Sequence, residues 1–299
     1  MANKVLHWEK LREEEFEGAI ERSGGLCVMA MGCLEKHGQH LPSGCDSLKG
    51  AGIVERAAAE ADVTVFPVTM WLGNVIGSHT ITDPGACHRR GYIGMNPTTL
   101  LTVMRELCDE IARNGYRKIL FCNSHGGNEA MLSYFVQSQN YEKRSYATMH
   151  TRAYDWSSIM PDKVLATYER EPEFLSMLTP EDVETLKYYA EHGTGGSHGD
   201  FVETALLYGT YPELVEPSRF DAEDGVSTGR ADYLRQAGVN CGKVWSINQP
   251  NCLHGFAPIG CTKTIGDAVV KISVRRLAGI MRMLKEDENC VKFQEEGML

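Results

Sequence analysis

Apolar runs alternate with amphipathic segments along most of the chain. "GLCVMAMG" (25–32), "VTVFPVTMW" (63–71) and the beginning of "YRKILFCNSHGGN" (116–122) are short apolar runs next to turn residues, and "RSYATMHTRAYDW" (144–156) is a fourth strand candidate. Continuous apolar runs of this length are typical of strands buried on both faces of a parallel sheet. The pattern therefore predicts four strands.

Segments with helical spacing lie between and after these runs. Asn96 before Pro97 and Thr179 before Pro180 are N-cap signals, and Gly115 ends the first of these helices. The predicted helices are 46–61, 96–115, 129–141, 179–192, 201–209 and 264–287.

The alternation of strands and helices predicts an α/β fold with a parallel or mainly parallel sheet that is covered by helices on both faces. Neither a repeat nor a low-complexity linker interrupts the chain, so we expect a single domain over residues 1–299. The segment 212–262 is rich in Gly, Pro and Asn. It is predicted to consist mostly of loops that shape an active site or a subunit contact.

Composition narrows the class of protein. The 299 residues carry a formal charge of −10 and no Lys/Arg block, which argues against a nucleic-acid or anionic-membrane partner. The N-terminal region has no apolar signal segment, and no run of eighteen apolar residues could span a membrane. We therefore expect a cytoplasmic protein.

The ten cysteines contain no CxxC pair, which argues against a zinc ribbon, a redox dithiol or a disulfide scaffold. Most of them are interpreted as core residues of a protein in a reducing compartment. A nucleophilic Cys33 or Cys45 remains an alternative.

The segment "GCLEKHGQHLPSGCDSLKG" (32–50) concentrates acidic and imidazole side chains. Such groups are costly to bury together unless a cation binds them. Residues i and i+2 of an extended chain point to the same side, so Glu35 and His37 can reach one ion. Asp46 follows a turn and begins the next helix, where it is either a further ligand or only an N-cap.

Two further clusters follow later in the chain. His125 in "NSHGGN" comes directly after the strand 116–122, and Glu203 follows the Gly-rich "GTGGSHGD" near the start of a helix, with His198 five residues earlier. Ligands bind beyond the carboxyl ends of parallel strands, so distant clusters can meet there. Taken alone, His125 could be an ordinary turn histidine, and Glu203 only a partner of the helix dipole.

Together the clusters supply a donor set for metal ions, with Asp46 as a possible bridge between two of them. Carboxylate mixed with imidazole suits a divalent transition metal such as zinc, manganese or iron, whereas oxygen ligands alone suit magnesium or calcium. The five candidate ligands are Glu35, His37, Asp46, His125 and Glu203.

These segments resemble the creatininase (creatinine amidohydrolase) superfamily. Its pattern E-x-H-G-x-H-L-P-x-x-x-D is matched from Glu35 to Asp46. Its N-G-H-G-G-N segment is similar to "NSHGGN", and its H-A-G-x-x-E-T segment is similar to "HGDFVET" with Gly199 and Asp200 as departures. The resemblance covers residues 25–207, with the segments in the family order.

The resemblance implies a three-layer α/β/α sandwich with a mainly parallel sheet, assembled as a homo-oligomer and often a hexamer. It implies one or two divalent metal ions per subunit on the five candidate ligands. His198 would face the substrate, and Glu203 would serve both as ligand and in catalysis. His79 and His88 follow the second strand, where they either line the pocket or lie on the surface.

The reaction that the resemblance implies is attack of a metal-bound hydroxide on a carbonyl of a small cyclic substrate, as in the opening of a cyclic amide. Creatininase has a glutamate where this chain has Gly127, so the second-metal carboxylate falls to Glu203, which argues against creatinine itself as the substrate. The alternatives are hydrolysis of a C–C bond in a diketo-inositol (3-dehydro-scyllo-inosose), hinted at by Asn248, Gln249 and Asn251, and a non-catalytic metal-binding protein.

Overall fold

The computed structural model of the protein describes residues 6–75 and 91–296. The described part of the chain contains five β-strands: β1 (Leu6–His7), β2 (Leu26–Met31), β3 (Thr64–Val65), β4 (Lys118–Asn123) and β5 (Ala147–Arg152).

Helices connect and follow the strands. The α-helices are α1 (Phe16–Arg22), α2 (Cys45–Ala61), α3 (Pro97–Arg113), α4 (Glu129–Ser138), α5 (Trp156–Ile159), α6 (Pro161–Arg170), α7 (Pro180–His192), α8 (Phe201–Thr210), α9 (Asp232–Gln236), α10 (Val244–Asn248), α11 (Lys263–Glu286) and α12 (Asn289–Glu296). A short 3₁₀ helix, Gly126–Asn128, connects the end of β4 to α4.

The five strands form one parallel sheet in the order β1-β3-β2-β4-β5. β4 pairs with β2 and β5 over its full length, so Met31, Asn123 and Arg152 form one row at the carboxyl edge of the sheet. The chain segments that follow β2 and β4 therefore begin side by side. This is the juxtaposition that the positions of the two polar clusters predicted.

Both faces of the sheet are covered by helices. Alternate residues of β2 belong to different clusters: Leu26 and Val28 pack in the cluster with α2, α8 and α11, whereas Cys27 and Met29 pack with α3 and α4. The side chains of a strand alternate between the faces of a sheet, so a strand buried on both faces has to be apolar throughout. The predicted three-layer α/β/α fold is confirmed.

Several element boundaries follow the sequence signals. The Asn96 side chain caps α3 by accepting a hydrogen bond from the Thr98 N–H. Thr179 and Asp182 form a capping box at the start of α7. The predicted strand 63–71 was too long, since β3 contains only Thr64–Val65. Phe66 still donates its N–H to Val28 O, but Pro67 has no N–H with which to continue the ladder.

The sequence analysis missed β1 and the short or peripheral helices α1, α5, α6, α9, α10 and α12. The predicted strand 144–156 was also too long, since β5 contains only Ala147–Arg152. After β5 the chain turns into α5, which is capped by the Asp155 side chain. Among the described residues, no helix combines the length and the apolar character needed to cross a membrane.

Candidate metal centre

The five predicted metal ligands meet at the carboxyl edge of the sheet. Glu35 and His37 lie on the segment after β2, Asp46 in the first turn of α2, His125 after β4 and Glu203 in the first turn of α8. All five side chains are buried. The sheet order and the start of two helices therefore bring together three sequence segments that are far apart along the chain.

The first half of the cluster consists of His37, Asp46 and Glu203, and is called the His37 half-site below. His37 Nε2 lies 3.2 Å from Asp46 Oδ1 and 3.4 Å from Glu203 Oε2. His37 Nδ1 lies 3.0 Å from the backbone oxygen of Glu35. A carbonyl oxygen can only accept, so Nδ1 carries the proton and Nε2 of the neutral ring directs a lone pair at the carboxylates.

The second half consists of Glu35, Asp46 and His125, and is called the His125 half-site. His125 Nδ1 lies 3.3 Å from Glu35 Oε2 and 3.0 Å from Asp46 Oδ2. His125 Nε2 donates to the backbone oxygen of Asn74 at 2.9 Å, which leaves the lone pair of the neutral ring on Nδ1. Asp46 belongs to both halves and presents a different oxygen to each.

The electrostatics of the cluster favour a positive charge at its centre. Burial lowers the pKa of His125, but Glu35 and Asp46 more than offset this effect and raise the pKa to about 9. Burial also lowers the pKa of His37, and Asp46 and Glu203 again reverse the shift. The carboxylates thus attract protons onto both imidazoles, and a metal cation would take the place of those protons.

Lys49 is a buried part of the site that the sequence analysis missed. Its Nζ lies 2.5 Å from Asp46 Oδ1 and 2.5 Å from Glu203 Oε1. Burial lowers the pKa of Lys49, but the two carboxylates raise it well above its usual value overall. The only sequence signal was a lysine one turn after Asp46 in a helix with many apolar residues. Lys49 holds Asp46 and Glu203 together.

Gly127 has a steric role next to His125. A Cβ atom at this position would lie 2.5 Å from His125 Nε2 and 2.8 Å from the Asn74 oxygen, the two partners of the bond that orients the ring. A glutamate at this position would therefore displace His125 or the backbone at Asn74. The described structure accommodates glycine, which leaves Glu203 to supply the third carboxylate.

His198 lies beside the His37 half-site. Its ring stacks on that of His37 with a centroid distance of 4.1 Å, and its Nε2 donates to the Lys36 backbone oxygen at 2.8 Å. Its Nδ1 lies 4.0 Å from Glu203 Oε2. Burial and the neighbouring His37 lower the pKa of His198, so the neutral ring keeps a lone pair on Nδ1.

A cavity of about 590 Å³ opens onto the cluster. Glu35, Asp46, His125, Glu203 and His198 form part of its wall. The rest includes side chains that the sequence analysis did not single out: Asn74, Asn123, Glu129, Arg152, Tyr154, Trp156, Trp245 and Ser246. Arg152, Tyr154, Trp156, Trp245 and Ser246 reach the site through the packing of β5, α5 and α10, which no local motif indicates, whereas Asn123 belongs to the "NSHGGN" segment. The segment 212–262 contributes Trp245 and Ser246, and forms helices α9 and α10 as well as loops.

Two alternatives from the sequence do not fit the structure. Asp46 is not the N-cap of α2, since that position is Gly44 and Asp46 lies within the first turn. Cys33 and Cys45 are inaccessible, and burial raises the pKa of each thiol well above its usual value. Neither thiol is suited to act as a nucleophile on a substrate in the cavity.

Other predicted residues lie away from the cavity. Asn248 is bonded to Ala231 and Asp232, and Asn251 donates to the Asp224 oxygen, so these amides stabilise their own segment. Gln249 is buried and does not line the cavity. His40 bonds Thr204 Oγ1 at 3.0 Å and serves packing rather than the donor cluster. His79 and His88 fall outside the described residues.

Comparison with known proteins agrees with this geometry. The family model described as creatinine amidohydrolase matches residues 9–281. The chain belongs to the creatininase family. This membership confirms the resemblance drawn from the three motifs, and it makes the protein a metal-dependent hydrolase.

Individual creatininase relatives are distant in sequence. A creatinine amidohydrolase of Pseudomonas putida is 24% identical over 222 residues, which cover 73% of this chain and 76% of the relative. A Bacteroides fragilis protein named as a creatinine amidohydrolase has a TM-score of 0.67 at 18% identity, over 96% of this chain and 98% of that one. A manganese form of creatininase has a TM-score of 0.65 at 18% identity, over 95% and 100%. These structures share the fold of this chain.

Proposed function

We propose that this chain opens a small cyclic amide by hydrolysis, using one or two divalent transition-metal ions held by Glu35, His37, Asp46, His125 and Glu203. The observation that carries the proposal is the arrangement around Asp46. Its Oδ1 lies 3.2 Å from His37 Nε2 and its Oδ2 lies 3.0 Å from His125 Nδ1. A carboxylate placed between two correctly oriented imidazoles is the arrangement of a bridging ligand.

The donor set supports zinc, manganese or iron as the metal. Imidazole nitrogen favours these ions over magnesium and calcium, which prefer oxygen ligands. Manganese in the related creatininase structure supports the same group of metals. Each histidine of the two half-sites donates its other ring N–H to a backbone oxygen, which fixes its orientation as a ligand.

A divalent metal ion held by these residues would supply a hydroxide nucleophile at neutral pH and would polarise the substrate carbonyl. His198 would carry the remaining proton of the nucleophile to the leaving nitrogen. Because its Nε2–H is held by the Lys36 oxygen, Nδ1 is the atom that would accept and return that proton. Lys49 keeps the Asp46 and Glu203 carboxylates in place during these transfers.

The cavity supports a small and partly flat substrate. Its volume of about 590 Å³ is in the range of small-molecule sites, and Tyr154, Trp156 and Trp245 give it aromatic walls. Planar amide groups pack well against such rings. The diketo-inositol alternative loses its sequence support, since Asn248, Gln249 and Asn251 do not line the cavity.

The test is a substrate screen of metal-loaded and chelated protein against cyclic amides, formamides and cyclic polyol ketones. We expect hydrolysis of a cyclic amide that is abolished by the chelator and restored by Mn²⁺ or Zn²⁺. Turnover confined to polyol ketones would favour the C–C hydrolase instead. Bound metal without turnover of any of these compounds would favour the non-catalytic alternative.

Three further expectations are part of this proposal. The chain is taken as one hydrolase domain over residues 1–299, as a homo-oligomer that is a hexamer by family habit, and as a cytoplasmic enzyme. Support for the assembly comes only from the family resemblance. Light scattering at micromolar concentration tests it, and a stable monomer would contradict it.

A further inference from the structure

The thiol of Cys33 lies against the His125 half-site. Its Sγ is 3.1 Å from Asp46 Oδ2 and 3.9 Å from Glu35 Oε2. One donor atom each from Cys33, Glu35, Asp46 and His125 lies within 4.8 Å of every other. The half-site therefore has four donors from the protein rather than three.

Four of the distances between these donors can be compared with the edges of a tetrahedral zinc site. With zinc bonds of about 2.3 Å to sulfur and about 2.0–2.1 Å to nitrogen and oxygen, the edges of a tetrahedron are about 3.6 Å for S···O and about 3.3 Å for N···O. The observed N···O distances at His125 are 3.0 and 3.3 Å. The observed S···O distances at Cys33 are 3.1 and 3.9 Å, one on each side of the expected edge.

Cys33 is placed to serve as a ligand and not to meet the substrate. It lies two residues before Glu35, just beyond the end of β2, and its side chain is fully buried. It does not line the cavity, whereas Glu35, Asp46 and His125 do. The sulfur therefore approaches the cluster from the protein interior.

We propose that Cys33 Sγ is the fourth protein ligand of the metal ion that Glu35, Asp46 and His125 hold. This inference rests on the metal centre of the proposed function. A thiol binds a transition metal as the thiolate, so its proton leaves to solvent when the metal binds. A thiolate donor favours zinc over manganese, which makes the His125 half-site selective for zinc.

The two half-sites then differ in kind. Four protein donors fill a tetrahedral shell, which is the pattern of a closed site, whereas three donors leave a position for water or substrate. His198 also groups with His37 and Glu203, so the His37 half-site would be of the open kind as long as His198 transfers protons instead of binding the metal. A water molecule would then have its position in the His37 half-site.

A second thiol provides an internal comparison. Cys252 Sγ lies 3.9 Å from Glu35 Oε1 and 3.8 Å from His198 Nε2. It groups with Glu35 and His198 but not with Asp46 and His125. The geometry thus assigns the ligand role to Cys33 and not to Cys252.

The test is cobalt(II) substitution of the full-length protein, read by absorption spectroscopy. Cobalt bound to a thiolate shows a strong sulfur-to-metal charge-transfer band in the near ultraviolet, separate from its visible d–d bands. We expect this band in the wild type, its loss in Cys33→Ala, and its retention in Cys252→Ala. Cys122→Ala is the matched control, because Cys122 is a fully buried thiol at the end of β4 that belongs to no donor group of the described residues.

The same experiment separates this inference from the proposed function. Visible d–d bands without a charge-transfer band in the wild type would support the metal centre but overturn the role of Cys33. A charge-transfer band that persists in Cys33→Ala would also overturn that role. Failure to bind cobalt at all would overturn the metal centre itself. Zinc affinity should fall at least about tenfold in Cys33→Ala while manganese affinity changes little. If Cys33→Ala does not fold, the test uses the wild type and Cys33→Ser, and we expect the charge-transfer band in the wild type and its loss in Cys33→Ser.

Discussion

The Nζ atom of Lys49 lies 2.5 Å from Asp46 Oδ1, and both side chains are buried. Without Lys49, the buried carboxylates of Asp46 and Glu203 would lose the one cation that contacts both of them at 2.5 Å, and only the protonated imidazoles of His37 and His125 would offset their charge in metal-free protein. We predict that Lys49→Met lowers the free energy of unfolding by roughly 3–5 kcal/mol in chelator. Added zinc should recover much of this loss, because the metal takes over the neutralisation of the carboxylates.

Urea denaturation with and without zinc measures the effect. Lys118→Met is the control, since Lys118 is also a buried lysine but donates to the backbone oxygens of Leu284, Lys285 and Asp287 at 2.8–3.0 Å. Its loss of stability should be the same with and without zinc. A deficit for Lys49→Met that zinc does not reduce would contradict the role given to Lys49.

Lys49 also shows where sequence reasoning ends. The spacing of Glu35, His37 and Asp46 and the position of His125 after a buried strand indicated the donor cluster, because extended-chain geometry and parallel strand ends are local rules. A lysine in a helix is ordinarily solvated. Lys49 is buried only because α8 packs against α2 and brings Glu203 to it, and no local pattern reports that contact.

The strands also differ in how far local sequence patterns predict them. β2 and β4 were predicted within a residue or two, because they are buried on both faces and therefore continuously apolar. β1 has only two residues, Leu6–His7, and its existence depends on pairing with β3 at the edge of the sheet. The aromatic cavity wall of Trp156 and Trp245 likewise depends on the packing of α5 and α10.

Gly127 gives a second prediction. A Cβ at this position would lie 2.5 Å from His125 Nε2, so Gly127→Ala should turn or shift the ring. We expect the metal affinity to fall by roughly ten- to hundredfold, the range for loss of the contacts that orient a ligand. Isothermal titration with Zn²⁺ measures it. Gly126→Ala is the control, since nothing lies within 4 Å of a Cβ there. Equal affinities in the two variants would refute this account of Gly127.

Glu203 gives a third prediction. Its Oε2 faces His37 at 3.4 Å and accepts the Gly199 N–H at 2.7 Å, while its Oε1 binds Lys49. We expect Glu203→Gln to cut hydrolysis severely and to lower the metal content to that of the His125 half-site, while the protein still folds. Glu181→Gln tests the alternative, because Glu181 is an exposed glutamate in the first turn of α7. That variant should cost about 0.3–1 kcal/mol and leave turnover unchanged. A Glu203→Gln protein with normal metal content and rate would remove Glu203 from the site.

His40 gives a prediction for acid sensitivity. Burial, with a contribution from His37, lowers the pKa of His40 from 6.5 to about 4 in the folded protein. The unfolded chain therefore binds a proton first as the pH falls. The stability that the neutral ring contributes is complete above about pH 6.5 and is lost between there and about pH 4. The full shift corresponds to roughly 3 kcal/mol.

The measurement compares the unfolding free energies of wild type and His40→Gln in chelator from neutral pH down to pH 4.5. Subtracting the two unfolding free energies removes the titration of groups that both proteins share. As the pH falls, the wild type should lose more stability than His40→Gln, because glutamine does not titrate. Parallel curves would show that His40 is protonated equally easily in both states.

The metal content of Asp46→Asn, determined by mass spectrometry after loading with zinc, tests whether one carboxylate serves both half-sites. Asp46 is the one carboxylate that faces both His37 and His125, so its loss should empty both half-sites. His125→Ala and Glu203→Gln, which each touch one half, should each retain the metal of the other half. An Asp46→Asn protein that holds as much zinc as the wild type would contradict the metal centre described for this fold.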